Sequence, residues 1–267
     1  MKKVVLITGI SSGFGKEMSK KLTLDGHAVY GTIRSKCEVF PGVKTLNVEL
    51  AESDSIYKAV DKIIEEQGRI DVLINNAGMH SGGPLEDSPI EQFRAQMDVN
   101  YFGWVHTIKA VLPHMRKQHS GLIINISSIG GITGIPFQGV YTASKFAVEG
   151  MSVALRMEVK AFGIKVVIVN PGDFKTRNVE TRIVSLAEDS PYAEQFAKSL
   201  QIIERDESGG KDPVILANRI SKIVKKRKPR QRYVVGSPIQ KLAAKLKCYL
   251  PERIFDKIIA SHYGIKF

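Results

Sequence analysis

Val4-Val5-Leu6-Ile7, followed by Thr8-Gly9-Ile10-Ser11-Ser12-Gly13-Phe14-Gly15, is the stretch from which the fold is read. A short β-branched run gives way to a glycine-rich turn, and a helical stretch begins near Lys16. Glycines in a strand-to-helix turn permit positive φ and close approach of backbone to ligand, and the helix N-terminus offers unpaired N–H groups to a phosphate. The octapeptide reads as a pyrophosphate cradle, with a glycine turn that holds no ligand as the alternative. Two other phosphate motifs fail on spacing. A Walker loop ending at Lys16 requires Gly at position 10 and Ser or Thr at position 17, where the chain has Ile10 and Glu17. The ordinary G-x-G-x-x-G fingerprint fails because three residues separate Gly9 from Gly13.

Outward from this stretch, short apolar runs alternate with longer amphipathic ones, the pattern of βαβ units and a mostly parallel sheet. Strands are expected at Val4–Ile7, Ala28–Ile33, Lys44–Val48, Asp71–Asn75, Gly121–Ile126, Lys165–Val169 and Arg232–Val235. Ser53 is expected to cap a helix running to Gln67, with Gly68 just past its end, and Ser88-Pro89-Ile90-Glu91 reads as a capped helix start. Residues 175–213 are polar and irregular and read as an insertion over one end of the sheet. The fold class is α/β: one doubly wound Rossmann-type domain over residues 1–236 with a seven-stranded, mostly parallel sheet, and a helical extension over residues 237–267.

The chain has 267 residues, two cysteines and a net charge of +12. The length suits one large domain, and Cys37 and Cys248 form no disulfide framework or metal motif, which suits a reducing, cytoplasmic compartment. The run Val4 to Ile7 is too short for a signal-peptide core, and no later run approaches a membrane span. The charge is not evenly spread. Ser221 to Phe267 holds 13 basic and 2 acidic residues, leaving a net of +1 for residues 1–220.

At the end of the second strand, an acid would take the ribose hydroxyls of NAD and a basic residue the extra phosphate of NADP. The chain has Ile33-Arg34-Ser35, with no acid before Glu38. Arg34, helped by Ser12 or Ser35, points to NADP(H) over NAD(H), the alternative being a solvated surface arginine. Further on, Tyr141 and Lys145 stand four apart on a helix and share a face. A neighbouring ammonium lowers a tyrosine pKa, so Tyr141 is expected as general acid or base. Ser128 follows an apolar strand and precedes Tyr141 by 13 residues, a conjunction more specific than Tyr-x-x-x-Lys alone.

These residues resemble the short-chain dehydrogenase/reductase family, over most of the first 235 positions. Thr8 to Gly15 corresponds to its cofactor loop, Asn75-Asn76-Ala77-Gly78 to its fourth-strand motif, and Asn170 to Thr176 to the turn facing the nicotinamide. Asn100, Ser128, Tyr141 and Lys145 match its catalytic tetrad. The resemblance implies contacts to the dinucleotide from Gly9, Ser11, Ser12, Gly13, Phe14, Gly15, Arg34, Asn76, Ala77, Gly78, Tyr141, Lys145, Pro171, Gly172, Phe174 and Thr176. Glu49 stands where the family usually has Asp beside the adenine. By the same resemblance, Tyr141 gives a proton to a carbonyl oxygen that Ser128 also hydrogen-bonds, Lys145 bonds the ribose, and Asn100 orders a water linking Lys145 to solvent. A non-catalytic NADP-binding regulator on the same fold is the rival reading, against which the intact tetrad argues.

Ile129 to Phe137, with Met79 and Phe174, is apolar and implies a lipophilic carbonyl or alcohol substrate. The run Tyr141 to Val159 most resembles the hydroxysteroid and retinol dehydrogenase branch, which leaves steroids, retinoids and fatty ketones open. Trp104 and the pair Tyr101-Phe102 read as core or subunit contacts, and a homodimer or homotetramer is implied by the family. The six histidines form no ligand set, so no metal is expected; His80 stands where it would border the pocket. In the basic tail, Ser237-Pro238-Ile239-Gln240 starts an amphipathic helix and Pro251 opens a second. The tail either packs on the body with a solvated basic face or rests on an anionic membrane. Nucleic acid comes third and is not expected as a partner, because the tail lacks interleaved aromatics and no nucleic-acid motif accompanies it.

Overall fold

The computed structural model describes residues 1–266, the side chain of Asn178 excepted; Phe267, the end of the expected extension, lies outside the described residues. In chain order the first half runs β1 (Val4–Ile7), α1 (Gly13–Leu24), β2 (Ala28–Ile33), β3 (Lys44–Asn47), α2 (Ser53–Gln67) and β4 (Val72–Asn75). Then come β5 (Ser81–Gly82), α3 (Ile90–Met97), a π-helical turn (Asp98–Phe102), α4 (Gly103–Lys117), β6 (Gly121–Ile126), α5 (Gly139–Glu158) and β7 (Ile164–Pro171). The chain continues through α6 (Asn178–Thr181), β8 (Ile183–Val184), α7 (Ala193–Ser208), α8 (Pro213–Lys225), β9 (Arg232–Val235), α9 (Pro238–Leu246) and α10 (Glu252–His262). Seven strands form one parallel sheet in the order β3-β2-β1-β4-β6-β7-β9. The expected strands are all present, with ends that differ by a residue or two. Asp71 falls just outside β4; its carboxylate accepts the Val4 N–H at 2.8 Å and pairs with Arg69.

Successive side chains of a strand face opposite sides, so a sheet covered on both faces builds two cores. Val4 and Leu6 of β1, Leu73 of β4 and Ile123 of β6 join one core with α2, α4 and α5. Val5 and Ile7, Val72 and Ile74, and Leu122 and Ile124 join the other with α1 and α8. Helix α2 shows the matching period: Ile56, Ala59, Val60 and Ile63 make one buried stripe. Burying a large apolar side chain of this kind stabilises by about 1.5–3 kcal/mol. The helix stops at Gly68, whose φ of +69° carries its N–H back to Ile64.

Strand order reverses direction between β1 and β4, which opens a crevice at the carboxyl ends of the strands.

Three expectations need correction. Ser53 is the first helical residue of α2 and Glu52 occupies the cap position without a side-chain cap bond. Ser88 does not cap α3; its hydroxyl donates to the Pro84 carbonyl at 2.8 Å, and Pro89 takes the cap. Residues 175–213 are not irregular. They contain β8, paired in parallel with β5, and the 16-residue α7, whose buried Phe196, Ser199, Ile203 and Glu207 recur every three or four residues.

The tail forms the expected helices, and α9 starts with a full capping box between Ser237 and Gln240. Its apolar residues are not all turned inward. Ile239 is 79% exposed and Tyr249 74%, and Leu242, Ile254 and Ile258 are also exposed, whereas Phe255 and Ala260 are buried. Among the described residues, no helix is long and apolar enough to cross a membrane.

Candidate active site

The glycine loop is held by backbone and by two strands. Thr8 N–H donates to Ile74 and Ile10 N–H to Thr32, while the Thr32 hydroxyl accepts from Gly9 N–H at 2.9 Å. Asn76 grips the turn from β4: its side-chain amide donates to the carbonyls of Thr8 and Gly9, both at 2.9 Å. Gly9 has φ of +69°, and a Cβ there would lie 2.6 Å from the Cβ of Ala77. A Cβ on Gly15 would lie 1.9 Å from the Gly9 carbonyl oxygen, so α1 can approach the loop only without one. Ser12 precedes α1 without a side-chain cap bond, and the first turn of α1 carries no acid. Uncapped N–H groups at the positive end of a 12-residue helix, in a cradle that a Cβ would fill, fit the pyrophosphate of a dinucleotide.

That loop forms one end of a cleft of about 460 Å³. Gly9, Ser11, Ser12, Gly13, Phe14, Arg34, Glu49, Asn76, Ala77, Gly78, Tyr141, Lys145 and Thr176 all line it. Gly15 lies beneath the loop instead, and Pro171, Gly172 and Phe174 line an adjoining cavity. The Glu49 carboxylate faces the cleft beside an exposed Ala51 N–H at 3.5 Å.

The four tetrad candidates come from three different segments. Ser128 leaves β6 in extended conformation and caps a short 3₁₀ turn, accepting from Gly130 N–H at 3.0 Å. Asn100 sits at the centre of the π-helical turn, fully buried. Its amide accepts from Met79 N–H at 2.8 Å and donates to the Met79 carbonyl and the Ser144 hydroxyl, which ties α5 to the segment after β4. A π turn inside a helix rotates the residues beyond it, and here it turns Asn100 into that junction.

Tyr141 and Lys145 stand in the first half of α5. The Lys145 ammonium lies 5.7 Å from the Tyr141 ring centre and 4.7 Å from that of Trp104, and donates to the Ile126 carbonyl at 3.2 Å. Burial pushes Lys145 down to about 8, against the pull of Glu149. The expected lowering of Tyr141 by Lys145 is not what the structure shows. Burial pushes the phenol up to about 12, with the Ser128 hydroxyl pulling it down and the Glu207 carboxylate adding to the rise. The lysine spends its charge on Ile126 and Trp104, and the desolvated phenol stays neutral at neutral pH. That is the state required of a proton donor.

Sequence reasoning left several residues of the cavity that holds Tyr141 unassigned or undecided. Ser128 and Tyr141 line the adjoining cavity, about 70 Å³, together with Gln138, Ile129, Ile135 and Phe174. His80 lines it too, buried, with its ring 4.0 Å from that of Tyr141 and held neutral by burial, which lowers its pKa to about 3. The remaining wall carries Asp173, Asp206, Glu207 and Tyr263. The signal for Glu207 was its place on the buried stripe of α7; Tyr263 gave none, since it arrives from beyond α10. The tail is bound to this wall through Gln240, which donates to Asp173, and through Ser199, whose hydroxyl donates to the Tyr263 carbonyl at 2.8 Å.

Comparison with known proteins bears on the same residues. The family model described as short chain dehydrogenase matches residues 3–184. A 3-ketodihydrosphingosine reductase of Bacteroides thetaiotaomicron is 49% identical over 98% of both chains. An NADPH-dependent 3-dehydrocapnine reductase of Ornithobacterium rhinotracheale is 33% identical over 95% of this chain and 94% of its own. Among solved structures, a short-chain dehydrogenase from Streptomyces avermitilis superposes with a TM-score of 0.81 at 29% identity, covering 96% of this chain and 97% of its own. An estradiol 17-beta-dehydrogenase of Rattus norvegicus is 35% identical over 65% of this chain and 54% of its own, consistent with the hydroxysteroid and retinol dehydrogenase-like branch.

Proposed function

We propose that this chain, which belongs to the short-chain dehydrogenase/reductase family, is an NADPH-dependent reductase of a long-chain 3-ketone. The observation that carries the reading is that Tyr141 lines both cavities at once. It faces the long cleft beside Lys145 and the glycine loop, and the smaller cavity beside Ser128. A substrate carbonyl held there meets two hydroxyl groups. The bound dinucleotide supplies the hydride to the carbonyl carbon. Tyr141 Oη delivers the proton to the oxygen, and Ser128 Oγ donates a second hydrogen bond that stabilises the developing negative charge. Lys145 holds a replacement proton near the phenol. Asn100 fixes α5 against the Met79 segment and so positions Tyr141.

Arg34, exposed on the cleft directly after β2, supports NADP(H) as the cofactor. The relatives' names support the substrate class: one is a 3-ketodihydrosphingosine reductase and the other an NADPH-dependent 3-dehydrocapnine reductase, both names placing the group that is reduced at position 3. The test is NADPH consumption with such a ketone. Tyr141→Phe is expected to lower kcat by roughly 10²–10⁴-fold with NADPH binding kept, the range for losing a positioned general acid. Near-normal turnover by that variant would overturn the mechanism. An intact tetrad with no turnover of any ketone or alcohol would favour the regulator.

Two further readings concern assembly and access. Phe102 beside α4, with Phe146, Val153 and Met157 on α5, is an exposed apolar face that supports a homo-oligomer paired through these helices. The outward Ile239, Leu242, Tyr249, Ile254 and Ile258, interspersed with Lys241, Lys245 and Arg253, support a tail that rests on anionic lipid and receives the substrate from it. Sedimentation of the enzyme with anionic vesicles and not with neutral ones is the expected result; equal binding to both, or to neither, would overturn it.

A further inference from the structure

The substrate cavity has a wall that keto-lipid reduction alone does not call for. Opposite the apolar residues Ile129 and Ile135, α7 and the turn after β7 bring Glu207, Asp206 and Asp173 to the same small space. Their charges are only partly answered. Glu207 Oε1 accepts from Arg182 at 2.6 Å, but Oε2 is buried and has no partner. Asp206 meets Arg205 and His262, and Asp173 meets the neutral amide of Gln240.

A second atom on this wall is also unanswered. The Nε2 of His80 lies 2.9 Å from Gln138 Oε1, and a carbonyl oxygen requires a donor, so that nitrogen carries the proton. His80 Nδ1 is then a bare acceptor, and it too is buried without a partner. Both residues are about nine-tenths buried, and both line the cavity that holds Tyr141. Arg182, which holds Glu207, leaves its own Nε and Nη1 buried without a partner, so the three carboxylates of this wall face two guanidinium groups, Arg182 and Arg205, and keep a negative balance. The two acceptors, Glu207 Oε2 and His80 Nδ1, in that negative field suit a small group that only donates and carries positive charge. An ammonium is such a group. The field acts along the whole wall: burial and the neighbouring acids push Asp173 and Glu207 upward, and Tyr263 is pushed up by burial and all three carboxylates. A cation placed there relieves that repulsion.

We propose that Glu207 Oε2 and His80 Nδ1, backed by Asp206 and Asp173, form a subsite for a protonated amine on the carbon next to the ketone, so that the enzyme selects 2-amino-3-ketones over 3-ketones without nitrogen. The proposal rests on the reading of the site as a keto-lipid reductase. Arg182 serves it by fixing the Glu207 carboxylate while leaving one oxygen for the substrate. Glu207 and His80 are thereby specificity residues, and neither takes part in proton transfer to the carbonyl.

The experiment compares two chain-matched substrates, a long-chain 2-amino-3-ketone and the same 3-ketone without the amine, in detergent with NADPH. An ammonium also makes an adjacent carbonyl carbon more electrophilic, and that effect is the same in every variant. The deciding quantity is therefore the ratio of the two kcat/KM values in the wild type against the ratio in Glu207→Gln, a change that keeps the shape and removes the charge. The expected result is a wild-type ratio favouring the amino ketone that falls by roughly 10–100-fold in the variant, chiefly through KM, as expected when a charged hydrogen bond to substrate is lost. Asp206→Asn, which leaves the Arg182 pair intact, is expected to move the ratio in the same direction by less. An unchanged ratio in a folded Glu207→Gln protein would overturn the subsite. If that variant does not fold, a wild type without preference for the amino ketone overturns it, as does an unchanged ratio in Asp206→Asn. Wild-type turnover of neither ketone would instead overturn the keto-lipid reading itself.

Discussion

The long cleft proposed for the cofactor and the smaller cavity proposed for the substrate share Tyr141 but are built on different principles. The cleft is backbone architecture. Its loop is fixed by β1, β2 and β4, its shape depends on the absence of Cβ atoms at Gly9 and Gly15, and the groups it offers a ligand are the N–H groups that open α1. The cavity is a side-chain assembly. Its walls come from β5's neighbour His80, the turn after β7, α7 and the segment after α10, which are far apart in the chain. One site is local in sequence; the other is distributed.

The comparison is broken most severely at the glycine loop. Gly9→Val places a side chain against Ala77 and is expected to weaken NADPH binding by roughly 100-fold or more, while overpacking costs about 1–3 kcal/mol of stability. Titration calorimetry with NADPH reads the first and thermal unfolding the second. If the variant binds NADPH normally and loses only affinity for ketone, the division of labour drawn above is wrong.

Arg34→Ala sharpens the same division within the cleft. NADPH binding is expected to fall by roughly tenfold relative to NADH, the scale of one charged contact to a phosphate. Steady-state KM values for the two cofactors check it, and an equal effect on both would make Arg34 a solvated side chain.

The smaller effects lie at the junction and in the cavity. Tyr141 is neutral across the accessible range because its phenol is pushed up to about 12. Lys145 is protonated below about 8 and neutral above it. Ketone reduction is therefore expected to hold through neutral pH and decline as pH passes about 8, by less than tenfold. Alcohol oxidation, which needs the phenolate, is expected to rise with pH. A pH profile of kcat in each direction tests the sign. Ser237→Ala breaks the capping box of α9 and is expected to cost about 1 kcal/mol. Because α9 holds Gln240 against Asp173, ketone KM is expected to rise with cofactor binding unchanged.

The same contrast explains what was legible in the sequence. The strand runs, the glycine spacing and the Ser128, Tyr141 and Lys145 spacing are local patterns, and they led to the parallel sheet and to the cleft residues that line it. Gly15 and Asn100 act one layer behind the cleft, through packing and amide bonds that spacing does not reveal. The state of Tyr141 was misjudged because the i, i+4 relation to Lys145 says nothing of burial or of Ile126 and Trp104, which hold the ammonium. Glu207 was hidden by reading residues 175–213 as irregular, although Phe196, Ser199, Ile203 and Glu207 already have helical spacing. His80 and Tyr263 reach the cavity only through tertiary folding.

The central claim is that Tyr141 joins a dinucleotide cleft to a ketone cavity and passes a proton between them. Its most direct test follows NADPH absorbance on adding a long-chain 3-ketone to the wild type and to Tyr141→Phe, with NADPH binding measured for both. The account predicts one NADPH consumed per ketone reduced by the wild type, and a variant that binds NADPH equally well but turns over roughly 10²–10⁴-fold more slowly. Equal turnover by the two proteins, or tight NADPH binding by the wild type with no ketone reduced, would contradict it.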